Sequence, residues 1–167
     1  MHKTMPTNPD PALNNAPSPG LPRRIMAFIY DSFLLIALFA IVSLPLVMQV
    51  GEQTLTHNPL MKALYQLLLL LSAFLFYGWF WTHGGQTLGM RAWRLRAQKM
   101  DGTAMDWPAS IRRFAWSLVS WLVAGLGFLW ILLDPHRLAW HDRLSNTRLV
   151  LLPKQSAESH AVKQRGG

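Results

Sequence analysis

Hydrophobic residues along this 167-residue chain form three long blocks, at residues 25–50, 61–81 and 114–133. The first two blocks each supply the roughly 20 apolar residues that a helix needs to cross about 30 Å of hydrocarbon. The third block is also long enough, but Gly125 and Gly127 near its middle disfavour a single straight helix. The pattern therefore predicts an all-α membrane protein with two to three transmembrane helices.

The two ends of the chain differ from these blocks in composition. Residues 1–22 are rich in Pro, Asn and Thr and contain few apolar residues, which is typical of a disordered segment. No segment outside the apolar blocks is long enough for an independent soluble domain. We therefore predict a disordered N-terminal tail at residues 1–22, one membrane domain at residues 23–152, and a disordered C-terminal tail at residues 153–167.

Basic residues give the chain a net charge of +8, and they cluster beside the apolar blocks. Anionic lipid headgroups are therefore the expected partner, and nucleic acid is not. Arg23 and Arg24 precede the first block, whereas residues 51–60 contain no lysine or arginine. By the positive-inside rule, the amino terminus is cytoplasmic and the protein is a multi-pass protein of the cell membrane.

For the third block, the positive-inside rule and the number of apolar spans predict different topologies. The basic residues that follow this block would lie outside after a third full crossing: Arg137, Arg143, Arg148 and Lys154. Residues 93–100 and 147–152 have the pattern of short strands, and a pair of strands must lie on one side of the membrane. We therefore favour a re-entrant hairpin that turns back near residues 124–127, beneath a short cytoplasmic two-stranded β element. The alternative is a third full span with an external carboxyl terminus, because long apolar stretches can override charge bias.

Asp31 lies inside the first apolar block, where an ionised carboxylate costs roughly 2.5–3.5 kcal/mol. Arg24, Ala27 and Asp31 are spaced i, i+3 and i+7, which places them on one face of a helix. Two interpretations stay open. A basic residue from another segment neutralises Asp31 and holds the bundle together, or the carboxylate exchanges a proton or a cation.

Two polar segments follow the second and third blocks. Residues 83–91 contain three glycines but lack the glycine–lysine–hydroxyl arrangement of a phosphate loop, so they predict a helix end and a turn. The adjacent His141 and Asp142 are too few ligands for a metal-dependent hydrolase, and Asp142 is instead predicted to pair with Arg24 or with the basic loop. The chain has no cysteine. We predict no catalytic residue, no metal site and no cofactor.

In this order, the motifs resemble those of the RDD family of small bacterial membrane proteins, which is named for one arginine and two aspartates. Arg24, Asp31 and Asp142 occupy those positions. The resemblance covers about residues 21–152, and its supporting positions are Ala27, Gly85, Thr87, Gly89, Asp101, Gly102, His141, Arg143, Leu144 and Thr147. Three features depart from the family pattern and weaken the predicted strand pairing: Met90, Arg94 and the pair Ala97-Gln98.

The resemblance implies a bacterial inner-membrane protein of unassigned function, in a family for which sodium–proton exchange has been proposed for some members. In a transport hypothesis, Asp31 and Asp142 bind a proton or small cation and Arg24 tunes its affinity. Two or three spans cannot enclose a pathway, so this hypothesis requires a homo-oligomer. The alternative is a non-catalytic membrane module that assembles with or regulates a partner protein, with the charged triad as an internal polar lock. The sequence shows no nucleophile–base pair, so we do not expect an enzyme.

Overall fold

The computed structural model describes residues 16–123, 126–135 and 137–153. Residues 16–20 have no regular secondary structure, and the first helix begins at Leu21, within the segment predicted as the N-terminal tail. Pro22 stands in the first turn of this helix, where its missing N–H leaves no hydrogen bond unmade. The rest of the two predicted tails, at residues 1–15 and 154–167, lies outside the described residues.

Two long helices form the body of the molecule. Helix α1 spans Leu21–Val50, the short helix α2 spans Glu52–His57, and helix α3 spans Pro59–Thr82. Asn58 caps α3 by accepting hydrogen bonds from the backbone N–H groups of the first turn. Among the described residues, α1 and α3 are the two helices long and apolar enough to cross a membrane, and their apolar windows are not buried inside the chain. This confirms the first two predicted spans.

The two predicted strands are present and pair with each other. Helix α4, Leu88–Ala92, leads into β1, Leu95–Lys99, which runs antiparallel to β2, Thr147–Leu151. The register places Ala97 opposite Leu149. The departure at Ala97 does not prevent pairing, because its small side chain is buried where the backbone of Gly85 approaches: the Ala97 N–H donates to the Gly85 carbonyl at 2.7 Å.

The third apolar block does not form one long helix. Helix α5, Trp107–Leu122, begins before the block, and the block continues as the short α6, Leu126–Leu129, and a 3₁₀ turn at Trp130–Leu132. Helix α6 packs against α5, and Gly127 lies against Ser120, so the two helices do not continue in one line. Over the described part of the block there is no third helix long and apolar enough to span a membrane, so the alternative of a third full span finds no support.

The last helix and the last strand of the described residues lie close to the segment that precedes α1. Helix α7, Trp140–Leu144, packs on α5 and on β2. Beyond it, the backbone N–H of Leu151 donates to the carbonyl of Pro17 at 3.0 Å, which joins the last strand to the segment before α1. The buried core lies where the helix ends meet the sheet: Ala27, Trp81, Met90, Leu95, Ala97, Met105, Ala109 and Leu149. This junction is also where the polar residues singled out in the sequence come together.

Candidate functional site

Arg24 and Asp142 form a buried ion pair between the first helix and the last one. Arg24 Nη1 lies 2.6 Å from Asp142 Oδ2, and the Asp142 side chain is 0% exposed. The same guanidinium donates from Nη2 to the carbonyl of Arg137 at 2.8 Å and from Nε to the carbonyl of Pro19 at 3.3 Å. Arg24 therefore fixes the start of α1 against the segment that leads into α7.

Arg113 is a second basic partner of Asp142, and its place in the sequence among several other basic residues did not mark it as one. Its Nη1 lies 2.7 Å from Asp142 Oδ1 and donates to Thr147 Oγ1 at 2.6 Å. The guanidinium carbon lies 5.3 Å from the ring centroid of Trp81, within the range of a cation–π contact. Arg113 lies one turn after Ala109 on the buried face of α5, whereas its neighbour Arg112 is exposed. The i, i+4 spacing between Arg113 and the small residue Ala109 was the sequence feature that could have indicated that both lie on one buried face of the helix.

The remaining contacts of Asp142 come from its own segment. The backbone N–H of Ala139 donates to Asp142 Oδ2 at 3.0 Å, and His141 Nε2 lies 3.5 Å from Oδ1. The hydroxyls of Ser145 and Thr147 lie 2.6 Å apart, which links α7 to the start of β2. We call Arg24, Arg113, His141, Asp142 and Thr147 the Asp142 cluster.

Charge within the Asp142 cluster is set by burial and by the two arginines. Burial favours the neutral acid, but the charges of Arg24 and Arg113 outweigh it and lower the pKa of Asp142 well below its usual range. Burial lowers the pKa of His141 to about 4, although the charge of Asp142 opposes this shift. At neutral pH the carboxylate is ionised and the imidazole is neutral. Two guanidinium groups therefore share one carboxylate.

Asp31 occupies a separate site, bonded by neutral donors. Its Oδ2 accepts a hydrogen bond from Thr87 Oγ1 at 2.5 Å, and its Oδ1 accepts one from the Gly89 backbone N–H at 2.9 Å. Within the described part of the chain, no basic residue from another segment forms an ion pair with Asp31, and its donors are a hydroxyl and a backbone N–H. The guanidinium of Arg24, seven residues earlier on the same helix, contacts Asp142 instead.

The glycine-rich segment after α3 explains how Asp31 obtains these donors. Thr87 caps α4 by accepting from the Met90 N–H at 3.1 Å while it donates to Asp31. Gly89 lies so close to α1 that a β-carbon there would be 2.2 Å from the carbonyl oxygen of Ala27. Gly85 has φ +71°, a conformation that other residues rarely adopt. The segment is a helix end and a turn, as predicted, and it places α4 in contact with α1.

A cavity of about 880 Å³ lies among α1, α3 and α5. Arg24, Asp31, Arg113 and His141 line it near the sheet, and the rest of its wall is mostly apolar. Among the described residues there is no group of three or more His, Asp or Glu side chains that could hold a metal ion. The cavity therefore combines a charged end with a long apolar part.

These features define a small membrane protein with two spanning helices, in which a buried ion-pair cluster holds a two-stranded sheet and short helices against the helix ends. The sequence model of the RDD family matches residues 18–146, so the chain belongs to the RDD family, a family of small membrane proteins. Searches of curated proteins and of solved structures gave no match. The match covers the arginine and the two aspartates of the family pattern: Arg24, Asp31 and Asp142.

Proposed function

We propose that this protein is a non-catalytic membrane module that assembles with or regulates a partner protein, and that the Asp142 cluster is its internal polar lock. The observation that carries this proposal is the Asp142 carboxylate, which is fully buried and contacts Arg24, Arg113 and the Ala139 N–H. Each oxygen of this carboxylate lies within 2.7 Å of a guanidinium nitrogen, and these positive charges oppose the approach of a cation. Its contacts instead join α1, α5 and α7.

The outer faces of the two long helices support the partner role. Large apolar side chains on them are exposed, including Phe33, Ile41, Met48 and Leu75. Such faces can contact lipid, the helices of another protein or a second copy of this chain. The Asp142 cluster keeps the sheet and α7 in one position at the helix ends, so that a partner would meet a fixed surface.

Asp31 supports a second candidate function, the exchange of a proton or a small cation. It is a buried carboxylate whose donors are neutral, and it lines the cavity between the two long helices. Because one chain supplies two candidate spans, this function would require a homo-oligomer. In this alternative Asp142 has no transport role, because both of its oxygens face cationic side chains.

The substitution Asp31→Asn separates the two functions. The measurement is sodium- and potassium-dependent proton flux in proteoliposomes, together with thermal unfolding of the same preparations in detergent. Glu52→Gln, the same acid-to-amide change at an exposed position in α2, is the matched control. The module predicts no flux from the native protein and a lower melting temperature for Asp31→Asn. Flux that is present in the native protein and in Glu52→Gln, and lost in a stable Asp31→Asn, would reject the module and support exchange.

We also propose a bacterial inner membrane and a cytoplasmic amino terminus, with the sheet on the cytoplasmic side. Exposed basic residues beside the sheet, such as Arg91 and Arg112, support this orientation under the positive-inside rule. The chain has no cysteine, so single cysteines at Met100 and Gln53 can be labelled individually with an impermeant maleimide. Intact cells should label Gln53→Cys and protect Met100→Cys. The reverse pattern would overturn the orientation.

A further inference from the structure

The cavity among α1, α3 and α5 is elongated. Its lining extends from Leu21 to Phe39 on α1 and from Gln66 to Trp81 on α3. At 1.5 Å per residue, these stretches are about 27 Å and about 22 Å long. One leaflet contributes about 15 Å of a hydrocarbon core that is about 30 Å thick. The cavity is therefore long enough to hold an acyl chain that lies parallel to the helices.

The end of the cavity near the sheet is rich in hydrogen-bond donors. Arg24 and Arg113 line it and share the single carboxylate of Asp142, which leaves one positive charge in excess in that cluster. Trp81 lines the same end and is 8% exposed. Its indole N–H is buried and makes no hydrogen bond to the residues that the structure describes. Burying such a donor without an acceptor costs roughly 1–3 kcal/mol, so this group indicates a bound acceptor.

Asp31 does not cancel this preference for an acceptor. It lies seven residues deeper along α1 than Arg24, about 10 Å at the helical rise. Both of its oxygens accept hydrogen bonds, from Thr87 and from Gly89, and the residue is 3% exposed. The negative charge of Asp31 is thus covered by its own two donors, Thr87 and Gly89, and Asp31 forms no ion pair with the guanidinium groups of Arg24 and Arg113.

We propose that the cavity binds one anionic phospholipid. Its phosphate lies at Arg24, Arg113 and the Trp81 indole N–H, and one acyl chain extends along α1 and α3. A phosphate supplies acceptor oxygens and one negative charge, which match the donors and the excess positive charge of this end. A free fatty acid offers similar chemistry through its carboxylate, and the test below separates the two.

The test is native mass spectrometry of the full-length protein in a mild detergent at pH 7, titrated in turn with phosphatidylglycerol, phosphatidylcholine and a free fatty acid. Ala73→Phe fills the cavity on α3, and Ala37→Phe places the same side chain on the exposed face of α1 that does not line the cavity. Trp81→Phe removes the indole N–H and keeps an aromatic ring beside Arg113.

We expect one phosphatidylglycerol per chain, bound at least about tenfold more tightly than phosphatidylcholine. Ala73→Phe should weaken this binding about tenfold and Ala37→Phe should leave it unchanged. Trp81→Phe should also weaken it by about tenfold, which is the loss of one hydrogen bond to a charged group. Equal binding of the two phospholipids, a preference for the fatty acid, or native affinity in both Ala73→Phe and Trp81→Phe would overturn the proposal.

Discussion

The backbone N–H of Gly89 donates to the carboxylate of Asp31 at 2.9 Å, at a point where α4 touches α1. The contact requires a residue without a side chain, because a β-carbon on Gly89 would lie 2.2 Å from the Ala27 carbonyl oxygen and 2.9 Å from Asp31 Cγ. The small residues of the family pattern, Ala27 and Gly89, therefore act together with the acid that they flank.

Gly89→Ala should separate α4 from α1 and destabilise the protein by roughly 1–3 kcal/mol, the usual cost of forcing an extra carbon into a packed site. Thermal unfolding in detergent measures this effect. Gly20→Ala is the control, because a β-carbon at Gly20 makes only ordinary contacts of 3.7 Å or more. Equal melting temperatures for the two variants would contradict the close approach at Gly89.

Asp142→Asn should be among the most damaging single substitutions. It leaves the buried guanidinium groups of Arg24 and Arg113 without an opposing charge, which costs roughly 3–5 kcal/mol for a buried pair. Asp106→Asn makes the same change in the more exposed ion pair with Lys99, where less than about 1 kcal/mol is expected. Asn can still cap α5 at position 106. Unfolding curves of the two variants in detergent give the comparison, and similar losses would count against the buried cluster.

Arg113→Lys should destabilise the protein although it keeps the positive charge. A single Nη atom of Arg113 contacts both Asp142 and Thr147, and the guanidinium carbon lies 5.3 Å from the ring centroid of Trp81. An ammonium group does not reproduce this geometry. We expect a loss of roughly 2 kcal/mol, the scale of one hydrogen bond to a charged group. Arg112→Lys, at the exposed neighbouring position, should have almost no effect, and a comparable melting temperature for both variants would reject the role assigned to Arg113.

His141 should make the protein less stable in mild acid. The unfolded chain binds a proton at His141 as pH falls through 6.5, whereas the folded protein, in which the pKa is about 4, does not. The stability is therefore fully present above about pH 6.5 and is lost progressively between pH 6.5 and 4, by an amount on the order of 3 kcal/mol. Asp142, whose folded pKa is lowered, adds a loss only below about pH 4.

The measurement for His141 is the melting temperature in detergent from pH 8 to pH 4. His141→Gln should flatten the curve between pH 6.5 and 4.5. His57→Gln, at an exposed histidine of α2, should keep the native slope. A native protein whose melting temperature does not change over this range would show that His141 is not buried in its neutral form.

Much of the fold was predictable because it follows from local patterns. The lengths of the first two apolar blocks predicted the two spanning helices. The β-branched and alternating patterns predicted β1 and β2. The conflict between basic residues and span counting argued against one long helix in the third block, and the described part of this block forms shorter helical segments. The side-chain partners were harder to predict. Asp31 is bonded by a hydroxyl and a backbone N–H, and backbone donors carry no sequence signature until the path of the Gly85–Gly89 turn is known.

Arg113 illustrates a second limit of the sequence. In the linear order it is one of two adjacent arginines in a basic loop, and positional charge rules treat the two alike. Only the orientation of α5 separates them, because adjacent residues point about 100° apart around a helix, which places Arg113 on the buried face and Arg112 on the exposed one. The family's three named residues likewise identify a site without showing that Arg24 pairs with Asp142 and that Asp31 does not take part in this pair.

The pairing of Arg24 with Asp142 also sets an order of events during synthesis. The two residues are 118 positions apart, whereas Asp31 and Thr87 are 56 apart. At a translation rate of about 5–20 residues per second, Asp142 is synthesised roughly 6–24 s after Arg24, whereas Thr87 is synthesised only about 3–11 s after Asp31. The first helix must therefore tolerate a guanidinium that lacks its carboxylate partner until Asp142 has been synthesised. A nascent chain that ends before Asp142 should be open to proteolysis, and the last strand closes the molecule.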